Sequence, residues 1–105
     1  MNSILNTSEI VGTVELPGGE FEVCASADAD YQQSSNKLSI RLTCDLRPCV
    51  TNQKLPVTPI DWMPKSQTIT EHVPIGEAGE VARDVFTRWV RKIRDVAPSM
   101  RAPSF

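Results

Sequence analysis

"KLSIRLTCDL", residues 37–46, alternates without a break: Leu38, Ile40, Leu42, Cys44 and Leu46 share one parity, and Lys37, Ser39, Arg41, Thr43 and Asp45 the other. Successive side chains of an extended strand point to opposite faces of its sheet. Alternation this strict therefore specifies a strand with one face on a core and one toward water. Upstream, "IVGTVELPGGEFEVCASA" (residues 10–27) has two alternating runs around Pro17-Gly18-Gly19. Proline fixes φ and glycine permits positive φ, so the segment reads as a β-hairpin, with Leu16 opposite Phe21 and Val14 opposite Val23. The polar "DADYQQSSN" after it interrupts the pattern and reads as a solvated turn.

Downstream, residues 47–66 carry Pro48, Pro56, Pro59 and Pro64, which oppose both a helix interior and a central strand. A long loop is expected, with Val57, Ile60, Trp62 and Met63 available to pack onto the domain. "QTITEHVPI" then offers a shorter fourth strand, Ile69 and Val73 on one side and Thr68, Thr70 and His72 on the other.

"GEAGEVARDVFTRWVRKIRDVAP" (residues 76–98) is a helix: Val81, Val85, Trp89 and Ile93 recur every fourth residue, Ala82, Phe86 and Val90 form a second row, and Val96 closes the stripe. Glu77 and Glu80 stand near its start and Arg91, Lys92 and Arg94 near its end, matching the helix dipole, and Pro98 stops it. The apolar positions span about half the circumference, more than the ~100° a helix needs to seal against one sheet, so something besides the sheet is expected to cover part of the arc. Phe86 and Trp89 are its largest expected core units. The fold class is α+β, an antiparallel meander sheet of about four strands with one long C-terminal helix on its apolar face, forming one domain over residues 1–98 with a flexible tail over 99–105.

The chain has 105 residues, 40% hydrophobic and 23% charged, with no internal repeat. A chain this long buries roughly two-thirds of the surface it would expose unfolded, enough for one core. The N-terminal residues lack a basic region followed by an apolar run, and no stretch approaches a membrane span, which points to a cytoplasmic location without a membrane partner.

Several residue groups are of types that carry chemistry. Cys24, Cys44 and Cys49 lie near His72 in type but not in spacing: four residues separate Cys44 from Cys49, whereas zinc sites favour close pairs. Cys44 has the apolar parity of its strand and Cys24 the polar parity of its own, so regular pairing sends the two thiols to opposite faces. Cys24 then reads as a surface thiol, and no metal is expected. Cys24 and His72 share the polar side and would make a nucleophilic dyad only if brought together, with no glycine turn or helix N-terminus after Cys24 to supply oxyanion donors. Asp28 and Asp30 lack the glycine and terminal glutamate of a calcium loop. No glycine-rich phosphate loop is present, and Glu15, Glu20 and Glu22 read as the solvent side of a hairpin.

Charge is uneven: residues 1–36 hold six acids and no base, while Arg83 to Arg101 hold six bases. The net charge of −2 and the Asp84–Arg88 and Arg91–Asp95 spacings oppose a nucleic-acid surface on the helix. The composite reading is a non-enzymatic protein-interaction or assembly module that self-associates as a homodimer, with Trp62, Met63, Val81 and Val90 as interface candidates. A small enzyme or ligand-binding protein using the polar sheet face around Cys24 and His72 is the alternative, nucleic-acid binding at the basic helix end a lesser one, and no catalytic residue or cofactor is assigned.

Overall fold

The computed structural model describes residues 2–50, 54 and 60–97. Four strands, β1 (Asn2–Leu16), β2 (Gly19–Gln32), β3 (Lys37–Pro48) and β4 (Gln67–His72), form one antiparallel sheet in the order β1-β2-β3-β4, followed by α1 (Ile75–Val96). This is the expected α+β meander with the helix across one face. The strands are long, and the molecule measures 48 × 24 × 22 Å.

Pro17 and Gly18 alone make the first turn, and Leu16 pairs with Gly19 and Val14 with Phe21. The hairpin is thus one pair tighter than the sequence suggested. Positive φ at Gly18 (105°) and Gly19 (133°) allows that closure. Because the register moves by two residues, every side chain keeps its predicted face.

β1 begins well before the hairpin reading does, and two bulges explain why. Pairing with β2 skips a residue between Ser3 and Leu5 and again between Ile10 and Gly12, leaving Ile4 and Val11 as the extra residues. A bulge reverses the parity of the residues beyond it, so Leu5, Thr7 and Glu9 lie on the helix side while past Val11 it is Val14 and Leu16 that do. Val11 itself is 2% exposed, folded into the core. β2 also runs further than expected: Asp28 and Asp30 are strand residues on the side away from the helix, not a turn. The 3-10 turn Gln33–Ser35 and left-handed Asn36 (φ 51°) make the connection to β3, and asparagine tolerates that conformation better than most residues.

The core lies between α1 and one face of the sheet. Phe21, Val23, Leu38, Ile40 and Leu42 from the strands meet Ala78, Ala82, Val85, Trp89, Val90 and Ile93 from the helix. Alanines at 25, 27 and 29 on central β2 are also buried. Their small side chains, with Ala78 and Ala82 opposing, let the helix sit low over the sheet. The helix packs over β1, β2 and β3. It starts after Pro74, with Glu77 N–H bonded to the Pro74 carbonyl, and ends where Ala97 N–H bonds the Ile93 carbonyl.

Two polar contacts fix the helix in place. Trp89 Nε1–H donates to the Thr43 carbonyl at 2.9 Å. Since β4 pairs no further than Leu42, Thr43 is the first β3 residue without a β4 partner, and the indole satisfies it. At the other end, the buried Tyr31 hydroxyl donates to the Val73 carbonyl at 2.7 Å, with Asn36 Oδ1 3.1 Å away, while Val73 N–H returns a bond to the Asn36 carbonyl. The β2–β3 turn is thereby latched to the β4–α1 junction.

Phe86 corrects an expectation. It is half-buried at the margin of the core, so Trp89, at 2% exposure, is the principal aromatic unit. The excess apolar arc predicted for the helix is present at Val81 and Phe86, both half-buried, and at Val96, exposed; Ile75, outside that arc, is exposed as well. Trp62 and Met63 pack half-buried against the core. The rest of the proline loop, including Pro56, Val57 and Pro59, and the tail over 99–105 lie outside the described residues.

Candidate functional site

The face of the sheet away from α1 is polar and uncovered by any described element. Along β2 it presents Glu22, Cys24, Ser26, Asp28 and Asp30, and along β3 Lys37, Ser39, Arg41, Thr43, Asp45 and Arg47. Register places Glu22 opposite Arg47 and Asp28 opposite Arg41, the latter an ion pair of 3.6 Å. The acid-only first third of the chain is thus laid beside a strand carrying bases. Two of the six acids, Glu22 and Asp28, are set against bases as cross-strand pairs. No aromatic side chain lies on the described part of this face.

A groove of about 710 Å³ opens along this face, its lining including Ser8, Cys24, Ser26, Asp45, Arg47 and Arg94. Cys24 pairs with Asp45 and with Ile10, and Cys44 with Ala25. The two thiols point to opposite faces, as parity required. Cys24, however, is only 8% exposed, so it is a buried thiol on the open face and not the surface thiol expected. Burial pushes its pKa up, and burial likewise pushes Cys44 up to about 11. Desolvation disfavours the thiolate, which is the opposite of what nucleophilic use needs.

His72 is on the open face too, opposite Lys37, but Cys24 lies across from Asp45, eight residues further along β3. At ~3.4 Å per residue that separation is about 27 Å, so no Cys24–His72 dyad forms. Among the described residues no group of three His, Cys, Asp or Glu side chains converges as a metal site, and no helix is long and apolar enough to cross a membrane.

The flanks of the helix carry the remaining concavities. On the β4 side, a groove of about 160 Å³ has Leu42, Ile69, Val85 and Trp89 in its lining, with Arg88 and Lys92 at its rim. Lys92 Nζ sits 5.7 Å from the Trp89 ring centroid. Val81, one turn before Val85, belongs to this flank. On the β1 side, a groove of about 330 Å³ is lined by Glu9, Phe86, Thr87, Val90, Arg91 and Arg94. Glu9 and Arg94 line both this groove and the one on the open face, which locates them at the sheet margin. Of the four interface candidates, Trp62, Met63 and Val81 are half-buried and Val90 is buried, at 6% exposure.

Sequence reasoning missed the β1 margin. Its signal was available in the low charge of residues 2–16, which contain Glu9 and Glu15 but no lysine, arginine or proline.

The chain matches no protein-family model, and comparison with curated proteins and with solved structures returns no significant match.

Proposed function

We propose that this chain is a non-enzymatic assembly module that associates with copies of itself, most simply as a two-fold dimer. The observation that carries the reading is the outer edge of β1. It is the first strand of the sheet and fifteen residues long, and among the described residues nothing pairs with its outer side. An unpaired edge offers a row of N–H and C=O groups to another strand, and besides bulges, of which β1 has two that leave Leu5 to Ile10 regular, proteins that remain monomeric blunt such edges with lysine, proline or short length. β1 has none of these. The half-buried Phe86 on the adjoining helix flank, and Trp62, Met63 and Val81 elsewhere on the surface, supply apolar area that a partner would cover.

Sedimentation velocity across the micromolar range tests the reading. A concentration-dependent shift from monomer to dimer is expected, and a monomer at every concentration would exclude it.

The groove around Cys24 favours one second reading, a polar ligand held on the open face. Protection of Cys24 from thiol reagents by bound small molecules, in a Cys49→Ser background, would support that reading over assembly.

A further inference from the structure

Resting on the self-association reading, we infer that the partner is a second copy joined strand to strand, β1 against β1, with Glu9, Arg91 and Arg94 of the two chains clustered around the two-fold axis. The bulges limit where such pairing runs. Between them, Leu5 to Ile10 pair regularly with Ala29 to Cys24, so this run is the undistorted part of the edge. In an antiparallel ladder alternate residues turn their N–H and C=O outward, and those of the run are free to meet a strand.

A two-fold axis perpendicular to the sheet makes the pairing antiparallel and keeps both helices on the same side. Residues placed opposite each other must then share a face. An axis through Thr7 or Ser8 meets this condition, and it sets small uncharged side chains at the centre so that the two Glu9 carboxylates are not directly opposed. Extending one sheet with another also brings the β1-side flanks of the two helices toward each other. Each flank has the half-buried Phe86 in its groove, which the second copy would cover.

Charge favours this partner. Glu9, Arg91 and Arg94 are all exposed, and none has an ion pair among the described residues, although they line one groove. Around the axis each carboxylate is within reach of guanidinium groups from both chains. The incoming strand, β1 of the second copy, carries acids and no base, which suits the arginine end of the helix it approaches.

Charge exchange between two chains tests this. Glu9→Arg makes the cluster wholly basic, and the double variant Arg91→Glu/Arg94→Glu makes it wholly acidic. The substituted residues are exposed, so folding is expected to survive, with far-UV circular dichroism as the check. Native mass spectrometry and sedimentation equilibrium of each variant and of their equimolar mixture provide the readout. Each variant alone is expected to dimerise at least about tenfold more weakly than the parent, and the mixture to form a heterodimer at least about tenfold tighter than either homodimer. If the parent dimerises but both variants do so equally well and mix statistically, the β1 pairing is wrong while self-association stands. A monomeric parent overturns the self-association reading and the pairing with it. A substitution at Trp62 that alone abolishes the dimer would move the interface to the other flank and likewise overturn the pairing.

Discussion

The two faces of β3 come from one run of ten residues and have opposite fates. On the helix side Leu38, Ile40, Leu42 and Cys44 are at most 5% exposed. On the other side Ser39, Arg41, Thr43 and Asp45 stay half-buried or exposed, and Arg41 reaches Asp28 of β2 in one ion pair of 3.6 Å. The difference shows where stability resides: removing large side chains from water on the helix side contributes ~1.5–3 kcal/mol apiece, whereas exposed ion pairs contribute little.

The sharpest way to break this contrast is at Trp89. Trp89→Ala leaves a cavity over β3 and strands the Thr43 carbonyl, so chemical denaturation should register a loss of about 3–5 kcal/mol. A parent-like midpoint would mean that the helix is not what seals the sheet.

Alkaline pH compares the two faces through their thiols. The folded state raises Cys44 from the ordinary 9.0 to about 11, so the neutral thiol is favoured in the fold. That stability is fully present below pH 9 and is lost as pH rises toward 11, by about 2–3 kcal/mol if burial alone sets the shift. Cys44→Ala should flatten the decline in stability measured across this window. Cys24→Ala should act in the same direction, since burial raises that thiol too. If only the Cys24 variant flattens the decline, the sheet is more desolvated on its open side than the helix side is.

At the turn end, Tyr31→Phe keeps the buried ring but removes the donor to Val73, and a loss of about 1–2 kcal/mol is expected from thermal or urea unfolding. Hydrogen exchange should localise the change to the β4–α1 junction. Smallest of all, Arg41→Ala on the open face should cost less than about 1 kcal/mol, because both partners of its ion pair are solvated. A larger loss would show that cross-strand charge pairs, and not the helix interface alone, hold the sheet.

Where period and chemistry coincide, the sequence was readable. β3 and α1 were legible because large apolar residues recur at unbroken intervals of two or four, and β4 through Ile69 and Val73 between threonines and the histidine. The far half of β2 was not, because its inward residues are Ala25, Ala27 and Ala29, whose small side chains give weak contrast with Ser26 and Asp28 and little intrinsic preference for a strand. β1 was obscured differently. Each bulge reverses the alternation, so Ile4-Leu5 and Ile10-Val11 read as doublets and the period is lost, even though the strand continues through both. At the candidate site, the opposite facing of Cys24 and Cys44 followed from parity alone. The burial of Cys24 did not, since which residues flank it across the strand pair depends on a register the bulge conceals. The free β1 edge is a property of strand order, which one strand's pattern does not contain.

The strand order has a consequence for growth. Joining two copies over Leu5 to Ile10 covers the regular part of both β1 edges and leaves β4, with the end of β3 past Leu42, as the outer borders of an eight-stranded ribbon. Because a two-fold contact pairs β1 with itself, it uses that edge on both copies at once, and an assembly built this way closes at two subunits instead of extending into a filament.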